Sequence, residues 1–179
     1  MDEANEELEG FIHSKRRELE RRLGEASLIV FLMGAAGKGL EERRMVREML
    51  KEKGITAIVS EDDLPRDVAP SLVEEYILRS EEVDLAFINV ESWGSTAEFV
   101  QYHGDPGIAP KLRVLVRSSY HPLYGGGSSY LTDIYLTHLA VYGHVYAYES
   151  ETGLGLTFPT PGSIVMKLAE RYRQWKALR

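Results

Sequence analysis

Ser27-Leu-Ile-Val-Phe-Leu-Met33 is an unbroken apolar run of strand-forming residues, and a strand without polar alternation belongs where both of its faces are covered. Shorter runs of the same character recur at Ile55 to Val59, Val83-Asp-Leu-Ala-Phe-Ile-Asn-Val90, Leu112 to Val116 and Val145 to Tyr148. The stretches between them carry helical spacing instead. Leu40 to Lys53 sets Val46, Met49 and Leu50 inward and has Gly54 just past its end, while Pro70 opens a helix through Ser80, proline being tolerated in a first turn. Further helices are expected over Ser95 to about Tyr102, Ser129 to about Val141, and Pro161 to about Leu178, where Ile164, Leu168, Tyr172 and Trp175 share a stripe.

Strand and helix therefore alternate, and right-handed crossovers then put helices on both faces of a mostly parallel sheet. The expected fold is α/β: three layers, doubly wound, five strands in the flavodoxin-like order 2-1-3-4-5. In that order ligands sit beyond the carboxyl ends of the strands, where the winding reverses between the first and third strands. Two loops meet there, Gly34 to Gly39 and Glu91 to Ser95.

A length of 179 residues suits a single domain, read as 25–179, preceded by an amphipathic helix in 1–24 that repeats Leu8, Phe11, Ile12, Leu19 and Leu23. That helix covers a core or a partner. A net charge of −7 without a dense basic block argues against nucleic acid as partner. The acidic start MDEANEELEG is unlike a signal peptide, and the apolar stretch Ala26 to Ala36 is too short to span a bilayer, so neither membrane nor leader is expected and a cytoplasmic location fits. The chain has no cysteine, which excludes disulfides, Cys-ligated zinc, iron–sulfur clusters and thiol catalysis. His13, His103, His121, His138 and His144 show no metal-ligand spacing, and no metal or cofactor is expected. Amides are confined to Asn5, Asn89, Gln101 and Gln174 while Glu and Arg abound, a pattern associated with heat-adapted proteins.

Gly34-Ala-Ala-Gly-Lys-Gly39 lacks the spacing and the Ser or Thr of a Walker phosphate loop, which excludes that class of triphosphatase. The turn can still offer backbone N–H groups and a helix start to an anion, making Gly34, Ala35, Gly37 and Lys38 candidate binding residues; equally, it is a turn that needs only glycine dihedrals. Glu91-Ser-Trp-Gly-Ser-Thr-Ala-Glu98 ends a buried strand and starts a helix at the same edge. Ser95-x-x-Glu98 reads as a capping box; it also reads as a carboxylate that the helix dipole keeps ionised beside a cleft, able to attack or stabilise a cationic sugar carbon. Glu98 and Glu91 are accordingly the candidate catalytic residues, and Ser92, Trp93, Gly94 and Ser95 candidate binding residues.

Beyond these, Tyr120, His121 and Tyr124 follow the fourth strand next to Gly125-Gly-Gly127, where aromatic faces suit a flat base. Tyr135, Leu136, Leu139 and Tyr142 recur at helical spacing, so the neighbouring rings read as core or interface. Ser60-Glu-Asp-Asp63 is a polar loop after the second strand; Asp62 and Asp63 could meet ribose hydroxyls, and solvation explains them as well.

At Gly94-Ser95-x-x-Glu98 the chain resembles the nucleoside 2-deoxyribosyltransferase-like superfamily, closest to the branch with Glu-Ser-x-Gly-Ser-x-x-Glu found in retron-associated effector proteins. Phe31-Leu-Met-Gly34 stands where that family has Tyr-Leu-Ala-Gly, and the likeness covers residues 27 to 103. The resemblance implies a glutamate nucleophile at Glu98 that takes a sugar from an N-glycoside and passes it to another base or to water. It also implies a different sugar grip, because Ser92, preceded by Glu91, replaces the family's aspartate, Phe31 replaces the tyrosine that orients the nucleophile, and Val100 stands where a small residue is expected. Two functions follow as expectations: an N-glycoside hydrolase or transferase acting on a nucleoside or nucleotide, with Glu91 or an acid in 61 to 63 protonating the base, or a non-catalytic nucleotide-binding or sensor module. Assembly through the terminal helices into a homo-oligomer is a third possibility.

Overall fold

The computed structural model describes residues 2–149 and 158–179. Five strands, β1 (Ile29–Met33), β2 (Thr56–Val59), β3 (Leu85–Asn89), β4 (Leu112–Arg117) and β5 (Val145–Tyr148), form one sheet, every pair parallel, in the order β2-β1-β3-β4-β5. The register sets Phe31 beside Ile58 on one side and Ala86 on the other, and continues Ile88 beside Val114 and Leu115 beside Tyr146. Seven helices surround it among the described residues: α1 (Asp2–Glu25), α2 (Lys38–Glu52), α3 (Ser60–Asp63), α4 (Pro70–Leu78), α5 (Trp93–Tyr102), α6 (Tyr130–Tyr142) and α7 (Pro161–Ala177).

The alternation of strand side chains explains the layers. Val30 and Leu32 of β1, with Leu85, Phe87 and Leu115, pack against Val46 and Leu50 of α2 and Ile164, Val165 and Ala169 of α7. Phe31 and Met33, with Ala86, Ile88, Val114 and Val116, pack against Leu78 of α4, Phe99 and Tyr102 of α5, and Ile134 and Tyr135 of α6. Each central strand therefore removes apolar surface from water on both faces, at roughly 25 cal/mol per Å² buried. The expected three-layer, doubly wound sheet is the observed one.

Several boundaries move, each for a local reason. Gly37, at φ 64, makes the turn into α2, so that helix starts at Lys38 and not at Leu40. Ser60–Asp63, expected as a loop, closes one helical turn, and the Val59 N–H donates to the Asp63 carboxylate at 2.8 Å. Helix α4 stops at Leu78, short of Ser80. Helix α6 has Ser129 as its cap, accepting from the Thr132 N–H, and ends on left-handed Gly143. Leu136, expected on the inner stripe of α6, is exposed, whereas His138 is buried and lies within 3.3 Å of the Leu112 carbonyl. The far end of α1 is tied down by Arg173 of α7, which donates to the carbonyls of Leu23 and Ala26, both at 2.9 Å.

Candidate active site

Beyond the carboxyl end of β1 the chain turns at 34–37, and the α2 residue that fills the turn is Arg43. Arg43 shares the inward stripe of Val46 and Leu50, so its guanidinium is carried under the turn and is only 8% exposed. It donates to the carbonyls of Ala35 (2.9 Å), Gly34 (3.3 Å) and Leu32 (3.4 Å), and with two nitrogens to Glu61 at 2.6 and 2.7 Å. The turn expected to receive an anion thus presents two carbonyls to a cation, and β1 adds a third. The Arg43 fork holds Glu61 in the bidentate geometry that suits a carboxylate.

Glu61 lies at the mouth of a cavity of about 370 Å³, lined further by Ser60, Glu74, Glu98, Gln101 and Tyr102. Three carboxyls face this small space with different environments. Burial works to raise Glu61, but hydrogen bonds from Arg43, its own backbone and Ser60, together with the charge of Arg43, hold it below the ordinary carboxylate range. Glu74 is buried at 7% exposure and accepts from the Tyr102 hydroxyl at 2.9 Å; burial first, then the charge of Glu61, raises it. Glu98 is half-buried, and its Oε2 is sealed from solvent without a hydrogen-bond partner. Burial, then the charges of Glu74 and Glu61 against that of Arg43, push Glu98 up to about 8. At neutral pH the cleft therefore holds an ionised carboxylate and a neutral carboxylic acid.

This overturns both expectations about Glu98 in its helix. Helix α5 is capped by Ser92, not Ser95: the Ser92 hydroxyl accepts from the Ser95 N–H at 3.2 Å while the Ser95 hydroxyl accepts from the N–H of Ser92 at 3.0 Å and of Glu91 at 3.1 Å. The capping box is Ser92 with Ser95, and both hydroxyls are spent on it. Starting at Trp93 makes Glu98 the sixth helical residue, past the first turn and outside the reach of the terminal dipole, so it neither caps nor stays ionised on that account. Gly94 lies in the first turn beside Ser92, and Trp93 is 92% exposed. Ser92, Trp93, Gly94 and Ser95 line neither this cleft nor the larger cavity described next.

That larger cavity, about 820 Å³, lies between α2 and α7 at the same edge of the sheet. Met45, Val46, Met49, Phe87, Leu115 and Met166 give it an apolar lining, and Gly34, Ala35, Lys38, Arg43, Asn89 and Glu91 supply most of the polar rim near β1 and β3. Glu91 is exposed and accepts from the Tyr148 hydroxyl at 3.3 Å; burial, then the charge of Glu91, pushes that tyrosine up to about 12. Glu91 and Glu98 thus line different cavities, with Arg43 lining the larger one and its partner Glu61 the smaller.

The remaining expected residues serve other ends. Asp62 binds Arg44 at 2.6 Å and Arg47 at 3.2 Å, and Asp63 takes the Val59 N–H and Arg47, so both are committed to α2–α3 contacts away from either cavity. His121 is buried, with Nε2 3.1 Å from the Val145 carbonyl and Nδ1 accepting from the Leu123 N–H, an arrangement that shapes its loop. Tyr124 stacks on His121 and approaches Phe158, and Tyr120 is exposed; none of the three lines a described cavity. Gly37 is a turn residue. Phe31, where the resemblance has a tyrosine, is fully buried in the core.

In the sequence Arg43, with Arg44 beside Glu41 and Glu42, reads as part of a charged surface face, which its burial corrects; Glu74 and Tyr102 were passed over. A signal for Arg43 and Glu74 was present: Arg43 is three residues before Val46 and seven before Leu50, and Glu74 four before Leu78, so each is a charged residue on an apolar stripe. No protein-family model matches the chain, and no curated protein matches it. Among the described residues no helix is long and apolar enough to cross a membrane, and no three His, Asp or Glu side chains are grouped to hold a metal ion.

Proposed function

We propose that the chain cleaves or transfers an N-glycosidic bond of a nucleoside, a nucleotide or a related N-glycoside, and that the small acidic cleft carries the chemistry. The observation behind this reading is the pair of unlike carboxyls there, Glu98 raised to about 8 and Glu61 held ionised by Arg43. Two carboxyls pushed apart by their surroundings are what a glycosidic bond needs: one gives a proton, the other faces positive charge. In the proposed step the neutral Glu98 donates its proton to a nitrogen of the departing base. The electron pair of the C–N bond leaves with the base, the Glu61 carboxylate offsets the cationic sugar carbon, and water or a second base bonds to that carbon and gives up its proton to the Glu98 carboxylate, which restores the acid. Tyr102 donates to Glu74 in the same cleft, and burial first, with the neighbouring carboxyls after it, favours the protonated form of Glu98.

The short likeness at Gly94-Ser95-x-x-Glu98 supports the same bond class but assigns Glu98 the nucleophile's part, which needs the ionised form. The pH profile of kcat/KM on a nucleoside and nucleotide panel separates the two. An acid gives activity that falls above about pH 8; a nucleophile gives activity that rises through it. A second reading, a nucleotide-binding or sensor module, draws on the larger cavity, whose apolar walls and polar rim suit a bound base without any raised carboxyl. Ligand-induced thermal stabilisation with no turnover across the panel would favour it.

A further inference from the structure

Helix α1 runs for 24 residues, and most of its apolar side chains with described burial stand exposed. Leu8, Phe11, Ile12 and Leu19 are 55%, 60%, 54% and 40% exposed; the helix packs on α7, and among its residues with described burial the part-buried ones beyond Glu18 fall in its last turn. Leu8, Ile12, Lys15 and Leu19 alternate spacings of four and three, the seam of a two-helix coiled coil. The charge is as uneven as the burial. From Asp2 to Ile12 there are five carboxylates and no base, and from His13 to Glu25 five bases and three carboxylates. In the basic half Lys15, Arg16, Arg21 and Arg22 find carboxylates on their own helix, in exposed pairs worth little and easily exchanged. In the acidic half Glu6, Glu7 and Glu9 have no Lys or Arg within one turn, and like charges three and four residues apart weaken the helix.

We propose that α1 pairs antiparallel with the α1 of a second copy of this chain. Setting Leu8 against the partner's Leu19 places Ile12 on the aliphatic stem of the partner's Lys15 and Glu9 on the same flank of the seam as the partner's Arg16, so each acidic half lies along a basic half. The two α/β domains then stand at opposite ends of a rod about 36 Å long, taken at about 1.5 Å per residue, and do not collide. A parallel pair would stack acid on acid and crowd the domains together. The inference does not depend on the catalytic reading.

The test uses the full chain, which has no native cysteine to confuse it. Sedimentation equilibrium should give a dimer that dissociates on dilution and loosens as salt rises. Ile12→Glu should return a monomer with the wild-type thermal midpoint, because the side chain is outside the domain core. Leu8→Cys and Leu19→Cys, each alone under mild oxidation, should stay largely uncrosslinked, and an equimolar mixture should form the mixed disulfide. A wild-type chain that is monomeric at 100 μM, disulfide formation by Leu8→Cys with itself in preference to the mixture, or a dimer untouched by Ile12→Glu would each overturn the proposal.

Discussion

The two cavities at the carboxyl edge of the sheet differ in what each gives a ligand. The one between α2 and α7 offers volume and apolar wall, about 820 Å³ lined by four methionines, Phe87 and Leu115. The one among α3, α4 and α5 is less than half that size, but three of its lining side chains are carboxyls, one buried and two half-buried. Volume and apolar surface supply affinity, whereas burying an acid beside other acids supplies a proton held near neutral pH. The larger pocket is thus the better place to hold a molecule and the smaller the better place to change one. Arg43 and Glu61 join the two, so perturbing that pair should reach both.

The sharpest way to break this division is to remove one function at a time. Glu98→Gln should lower turnover of any N-glycoside the protein processes by about 10² to 10⁴, the range of general acid catalysis, while Met166→Trp, which fills the larger cavity, should leave kcat within a few-fold. Equal losses in both variants would make the two cavities one site. Arg43→Ala should cost about 3 kcal/mol in urea unfolding, since it strands the Glu61 carboxylate and frees three carbonyls in a nearly closed space. A loss below 0.5 kcal/mol would mean that solvent already screens the pair.

The pH dependence of stability sharpens the contrast further. Glu98 has a folded value near 8 against an ordinary 4.5, so between those limits the native state keeps a proton that the unfolded chain has released. Stability therefore falls as pH rises through that window, and the full penalty is present above pH 8. Glu98→Gln should match the wild type below pH 4.5 and exceed it by up to about 3 kcal/mol at pH 9, its partial exposure allowed for. Parallel pH curves for the two proteins would remove the raised carboxyl from the account. The smallest effect is expected at Trp93→Ala, within about 0.5 kcal/mol and without loss of turnover, because the ring is in solvent and in neither cavity.

How much of this was legible in the sequence follows from what kind of interaction places each residue. Strand identity rests on local runs such as Ile29–Met33, and the order of the sheet on the alternation of those runs with helices; both are written along the chain. The start of α5 was not, because Ser92 and Ser95 are both good caps and only the extended backbone at Ser92, φ −142 and ψ 165, decides between them. That shift of three residues carried Glu98 from the helix end into a cleft. The state of Glu98 depends on Glu74, Glu61 and Arg43, which are 24, 37 and 55 positions away, so no local pattern could report it. His121 and Tyr124 were read as ligand contacts from their type and place, whereas hydrogen bonds to the start of β5 and a ring stack claim them.

The proton on Glu98 is open to direct observation. Side-chain carboxyl ¹³C NMR on the Glu-labelled protein, compared with Glu98→Gln to assign the signal, should show one resonance titrating with a midpoint close to 8 that the variant lacks. A Glu98 midpoint at or below the ordinary 4.5 would contradict the account, leaving the cleft with no neutral acid to give.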